Sequence, residues 1–157
     1  MFMTSLQKKT FLSISLGLFA MVSLSAQEVS WKQNVKHIEK DLYEITFTAT
    51  VPPGYYMYDL GPYPEDAYVN VTTFEFGSMS RNIRLEGKPY HITKPQKKFD
   101  ETFGVEIGKM YGKAEFGQKV RMIAGKEGNI KGVVESSICN DNSCMPPAET
   151  EFNVVIK

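Results

Sequence analysis

Between Tyr43 and Val51 the chain alternates strictly: Tyr43, Ile45, Phe47, Ala49 and Val51 are apolar, while Glu44, Thr46, Thr48 and Thr50 are polar. A period of two is that of a half-buried strand. Pro52-Pro53-Gly54 ends the run, and Tyr55-Tyr56-Met57-Tyr58 reads as a short aromatic strand before the loop Gly61-Pro62-Tyr63-Pro64. A β-rich run follows over residues 69–76, with Ile83 and Leu85 after it. Ala114, Phe116, Val120 and Met122 then line one face of a strand that includes Gln118. Val133-Val134 leads toward the first cysteine, and Phe152, Val154 and Ile156 close the chain. No window has helical spacing with caps. About seven to nine short strands separated by Gly/Pro turns predict an all-β fold, an immunoglobulin-like antiparallel β-sandwich. Trp31 reads as a packing anchor at the start of this domain, and His37 and His91 read as surface residues.

The first residues do not belong to that pattern. Lys8 and Lys9 precede an apolar stretch over residues 11–24, and Leu24-Ser25-Ala26 resembles a small-residue cleavage site ahead of Gln27. This is the layout of a secretory signal peptide. The stretch is roughly 14 residues, short of the ~20 that a helix needs to span a bilayer. The reading is a signal peptide over 1–26 and a single domain over 27–157. Removing 26 of the 157 residues leaves 131, and the loss of two lysines moves the formal net charge from 0 to −2. That length carries its own core. A nearly neutral chain without a basic cluster gives no electrostatic reason to expect nucleic acid or an anionic membrane as partner.

The chemistry lies in Ser137-Ile138-Cys139-Asn140-Asp141-Asn142-Ser143-Cys144-Met145-Pro146-Pro147, which holds both cysteines of the chain. The four residues between them are small, polar turn formers, and strands flank them. The pair is therefore expected to face itself across a hairpin tip, within disulfide reach. Export permits such a bond. Spacing alone leaves two readings open, a structural staple and a reversible redox couple. A disulfide closing so short a loop stabilises by only ~2 kcal/mol in the chain-entropy model. Zinc is disfavoured, because only two thiols are present and His37 and His91 are far apart without ligand spacing. The spacing is neither the thioredoxin-type C-x-x-C nor a haem-attachment motif.

Three segments occur in a telling order: Gly54-Tyr55-Tyr56-Met57-Tyr58, Phe99-Asp100-Glu101-Thr102-Phe103-Gly104, and Cys139-x4-Cys144-x-Pro146-Pro147. Together they resemble the N-terminal periplasmic domain of the DsbD family of thiol:disulfide interchange proteins, over about residues 29–157. The cysteine-proline ending is the most specific of the three.

The resemblance implies an immunoglobulin-like sandwich in the periplasm, with no cofactor, metal or small-molecule substrate. Its cysteines take electrons from a membrane donor and reduce thioredoxin-like periplasmic partners, the activity of a protein-disulfide reductase. It makes Cys144 the nucleophile and Cys139 the resolving thiol. Residues 100–104 become a cap loop, with Asp100 and Glu101 near the thiols and Phe103 as the aromatic shield; the family can place that aromatic where this chain has Thr102. Tyr56 and Tyr58 line the floor of the site. Without the resemblance, the tyrosines read as core and edge aromatics, and Asp100 and Glu101 as a solvated loop pair.

A thiolate is favoured by nearby positive charge or a helix N-terminus, and the sequence offers neither beside Cys139 or Cys144. Asp141 lies between them, so the thiols are expected to be sluggish until a partner displaces the cap. Family members continue into a membrane domain, whereas this chain ends at Lys157, so a free-standing carrier supplied by a separate membrane protein is expected. The alternative is a non-redox β-sandwich interaction module with a structural hairpin disulfide.

Overall fold

Ile45, Phe47 and Ala49 are buried along strand β2 (Leu42–Thr50), and Ala114, Phe116, Gln118, Val120 and Met122 along β8 (Lys113–Met122). The two strands pair antiparallel with Phe47 opposite Phe116, so the apolar faces read from the sequence coincide. Gln118 is the polar member of that face; its amide nitrogen donates to the carbonyls of Glu86, Gly87 and Lys119. The structure, a computed structural model, describes residues 28–157, and the leader expected over 1–26 lies outside them.

The remaining strands are β1 (Ser30–Glu39), β3 (Tyr56–Tyr58), β4 (Thr73–Met79), β5 (Ile83–His91), β6 (Gln96–Asp100), β7 (Val105–Met110), β9 (Gly128–Ser136), β10 (Ile138–Cys139) and β11 (Ala148–Ile156). Among the described residues a single 3₁₀ turn spans Glu65–Ala67. All pairings are antiparallel, in the orders β1-β2-β8-β5, β10-β3-β7-β6 and β11-β9-β4. The fold is an all-β, immunoglobulin-like antiparallel sandwich. Side chains of all three sheets meet in one core, including Phe47 and Phe116 from the first, Met57 and Met110 from the second, and Phe152 and Val154 from the third. Phe47 sits at its centre, with ring centroids 4.7 Å from Phe74 and 4.9 Å from Phe152. Trp31 anchors β1 against Phe74 and Phe116.

Two differences from the sequence reading have local causes. The β-rich run from Val69 forms a ladder only from Thr73, because the Thr72 amide is taken by the Asp59 carbonyl and the Val71 amide by that of Val69. The expected pair of sheets is three hydrogen-bonded sheets, because the chain changes partner after Ser136. β9 pairs with β11, whereas β10, one residue further on, pairs with β3. That change of partner delivers the cysteines to the second sheet.

Candidate functional site

β9 and β11 form a long hairpin that ends with Ser136 opposite Ala148, and residues 137–147 are its tip. Within the tip, the Met145 amide donates to the Ile138 carbonyl at 2.8 Å and the Asn140 amide to the Ser143 carbonyl at 2.9 Å. These bonds flank Cys139 and Cys144, which bridge as an antiparallel pair. The pair is thus a non-hydrogen-bonded one, the position that brings opposed side chains closest. The Cα atoms are 3.9 Å apart and the sulfurs are bonded. Asn140 closes the turn, its Oδ1 accepting the amides of Asn142 and Ser143, both at 2.9 Å. The Ser137 hydroxyl donates to the Met145 carbonyl at 2.6 Å, tying the two sides together.

The cysteines are unequal. Cys139 is fully buried, whereas Cys144 is exposed. Cys139 owes its burial to β10, which lays it opposite Tyr56. Cys144 is followed by Met145, 42% exposed, and by exposed Pro146 and Pro147, which have no amide proton to extend a ladder.

Directly opposed residues share a sheet face, and so do alternate residues along a strand. Cys139 opposes Tyr56, Tyr58 opposes Lys109, and Asp100 opposes Val105. One face of the second sheet therefore carries Cys139, Tyr56, Tyr58, Val105, Ile107, Lys109 and Asp100. The other face turns Ile138, Met57 and Met110 into the main core. On the site face, Tyr56, Tyr58, Ile107 and Cys139 form a second buried cluster, with Phe103, Val105, Tyr63 and Val69 packed against it.

The residues expected at the site are distributed as follows. Tyr56 and Tyr58 lie beside Cys139, their ring centroids 5.6 Å apart. Phe103 is half-buried and meets Tyr58 edge-on, 6.0 Å between centroids at 85°. Phe99 opposes Glu106 on the other face and is 61% exposed. Residues 101–104 are the turn of the β6–β7 hairpin, with Gly104 at φ +67°. Asp100 holds that turn: its Oδ1 accepts the Thr102 amide at 3.1 Å and its carbonyl accepts the Gly104 amide at 2.8 Å. Glu101 and Thr102 are exposed within it.

A cation from β7 also lies on this face, beside Asp100 and Tyr56. Lys109 Nζ lies 3.1 Å from Asp100 Oδ2, 3.3 Å from the Tyr56 hydroxyl and 4.4 Å from the Tyr56 ring centroid. Both ion-pair side chains are only 15% exposed. Burial opposes the charge on Asp100, but the Lys109 ammonium and the Thr102 amide outweigh it and hold the carboxyl below its ordinary range. Burial likewise works against the ammonium, and Asp100 and Tyr56 overcome it, raising Lys109. Burial, with the Tyr56 hydroxyl and the Asp100 carboxylate, pushes the Tyr58 phenol up so that it stays protonated.

A second polar group fixes the loop beside the cluster. Asp59 is buried, and its Oδ1 accepts the Gly61 amide at 2.9 Å and the Tyr63 hydroxyl at 2.6 Å. Tyr63 in turn accepts the Gly108 amide at 2.7 Å. Burial and the bond to Asp59 push the Tyr63 phenol up to about 12. His91, read from the sequence as a surface residue, is half-buried here. Its Nε2 accepts the Leu60 amide at 3.2 Å and lies 3.6 Å from Asp59 Oδ2. His37 is exposed, with Nε2 2.8 Å from the Lys40 carbonyl. Gly108 has no room for a side chain, since a Cβ would stand 2.2 Å from Asp59 Oδ2.

This arrangement leaves one cysteine of the disulfide an exposed residue and packs the other with Tyr56, Tyr58 and Ile107. Among the described residues there is no group of three or more His, Cys, Asp or Glu side chains that could hold a metal ion, and no helix long and apolar enough to cross a membrane.

Comparison with curated proteins finds no match. Among solved structures, the Neisseria meningitidis DsbD N-terminal domain in the reduced form is similar, at 20% identity and TM-score 0.47, covering 79% of this chain and 83% of that one. A complex between the DsbD N-terminal and PilB N-terminal domains of Neisseria meningitidis is similar at 20% identity and TM-score 0.45, over 78% of this chain and 80% of that one. The N-terminal periplasmic domain of ScsB from Proteus mirabilis matches at 16% identity and TM-score 0.49, over 79% of this chain and 44% of that one. Residues 23–156 match the family described as thiol:disulfide interchange protein DsbD, N-terminal, and the chain belongs to that family.

Proposed function

We propose that the Cys139–Cys144 disulfide is a reversible redox couple that carries electrons in the periplasm, from a membrane donor to thioredoxin-like proteins. The observation that carries this reading is the inequality of the two cysteines, one a buried residue and the other an exposed one, on a single bridge. A structural staple needs no such asymmetry. An exchange couple does, because one sulfur must meet the partner while the other waits to resolve.

In the reduced protein, the Cys144 thiolate attacks a sulfur of the partner's disulfide. That S–S bond breaks, one partner sulfur leaves as a thiolate, and a Cys144–partner mixed disulfide forms. The Cys139 thiolate then attacks Cys144 Sγ, expelling the partner's second thiolate and restoring the Cys139–Cys144 bond. Two electrons have passed to the partner, and two protons from solvent complete its dithiol. A dithiol of the membrane donor reloads the pair by the same steps in reverse. Residues 100–104 act as a cap, with Phe103 as its aromatic shield, Glu101 beside it, and Tyr56 and Tyr58 as the floor. Export through a leader over 1–26, with 27–157 as the mature domain, completes the proposal.

Trapping tests it. Exchange passes through a mixed disulfide that persists when the resolving thiol is absent. Reduced Cys139→Ser protein should accumulate a covalent complex with an oxidised thioredoxin-like periplasmic protein, and Cys144→Ser little or none. Equal trapping by both variants would remove the division of labour, and none by either would favour a structural bond.

A further inference from the structure

We propose that Lys109 is a positioning residue that latches the cap loop shut by bridging Asp100, at the base of the loop, to Tyr56, the strand partner of Cys139. This inference rests on the reading of residues 100–104 as a cap and assigns what holds it closed.

The bridge is built from three contacts of one ammonium: the Asp100 carboxylate at 3.1 Å, the Tyr56 hydroxyl at 3.3 Å and the Tyr56 ring at 4.4 Å. Asp100 opposes Val105, and Lys109 lies two same-face positions along β7 from Val105, with Ile107 between them. The ion pair therefore spans Ile107, a fully buried member of the cluster that holds Cys139. An exposed ion pair contributes little, but this one is largely removed from water on both sides. Its two ends belong to different working parts. Asp100 sets the turn through the Thr102 and Gly104 amides, while Tyr56 pairs with the buried cysteine. Opening the hairpin turn away from the cysteines would pull Asp100 from Lys109. The cation thus couples the cap to the cysteine strand.

The test is the rate at which dithiothreitol reduces the disulfide in wild type, Lys109→Met, Asp100→Asn and the double variant. Methionine keeps an apolar stem, and asparagine keeps an oxygen for the Thr102 amide, so each change removes mainly charge. A latch makes both single variants faster, by at least about fivefold if the pair exceeds the upper end of what exposed pairs contribute. The double variant should be no faster than the faster single one, because both break the same contact. A purely electrostatic influence gives opposite signs instead: the attacking reagent is an anionic thiolate, so losing the lysine slows it and losing the aspartate speeds it. Opposite signs, or additive accelerations, would overturn the latch. Phe103→Ala separates this from the cap reading. Acceleration by Phe103→Ala with none by Lys109→Met removes the latch and keeps the cap, whereas no acceleration in any variant removes both.

Discussion

Cys139 and Cys144 face each other as a non-hydrogen-bonded antiparallel pair at the tip of one hairpin, and the strand switch at Ser137 buries only the first of them. The tip must leave β11 and join β3 for this to happen. Cys139 then packs with Tyr56, Tyr58 and Ile107, and Cys144 is left exposed.

Access to the Cys139 thiol should be limited by Phe103, which packs against the cluster holding it. In Phe103→Ala the reduced Cys139 thiol should be alkylated several-fold faster by a small neutral reagent. Phe99→Ala should leave the rate near that of the wild type, since Phe99 lies on the opposite face. Comparing the two alkylation rates checks the assignment, and equal effects from both would contradict it.

His91 should make stability fall on mild acidification. Burial lowers its pKa, with Lys97 in the same direction and Asp59 opposing, and its Nε2 is occupied as an acceptor of the Leu60 amide. The folded protein therefore takes up its proton at lower pH than the unfolded chain, whose value is about 6.5. Stability is complete above that value and is lost as pH falls through it toward the folded pKa. Denaturant titrations between pH 5 and 7 should show this slope, and His91→Gln should flatten it.

Asp100 acts in a lower window. Its folded pKa is depressed, so its contribution is present above the unfolded value of about 3.9 and is lost as pH falls through the folded value. Wild type should be more stable than Asp100→Asn at pH 7, and the two should converge once the pH has fallen through the folded pKa of Asp100. A gap that persisted unchanged into strong acid would show that charge pairing with Lys109 is not its source.

Gly108 is required by what lies above it. A Cβ there would stand 2.2 Å from Asp59 Oδ2 and 2.9 Å from Pro95 Cβ, and Asp59 is fixed by Gly61 and Tyr63. Gly108→Ala should destabilise by about 1–3 kcal/mol, the usual cost of overpacking. It should also loosen Tyr63, lowering a phenol pKa now near 12. Gly77→Ala is the control, because its Cβ would meet only the Lys131 carbonyl at an ordinary 3.6 Å. Its effect should stay within about 0.5 kcal/mol.

Much of the fold was legible where one face of a strand is buried. Period-two patterning located β2, β8 and β11, and their alternate residues are the buried ones. β1 was not legible beyond Trp31, since most of its residues are exposed and carry no alternation. The β6–β7 hairpin was missed for a related reason. Gln96, Lys97, Lys98 and Phe99 are all exposed, and Lys109 interrupts the apolar face of β7. The cysteine tip was legible from its turn residues, and the cap and tyrosine floor were expected from resemblance. Lys109 was not, because a cation that arrives by strand register leaves no mark beside Cys139 or Asp100 in the sequence. The network of Asp59, Tyr63 and His91 was hidden likewise, since two of its members lie thirty-odd positions apart.

The equilibrium reduction potential of the Cys139–Cys144 bond, measured on the domain against a glutathione or dithiothreitol buffer, tests the central claim most directly. A carrier that both accepts and donates electrons should titrate as a two-electron couple between about −120 and −270 mV, the range of exchange proteins. A potential below roughly −300 mV, where structural disulfides lie, would contradict the account and make the bond a staple.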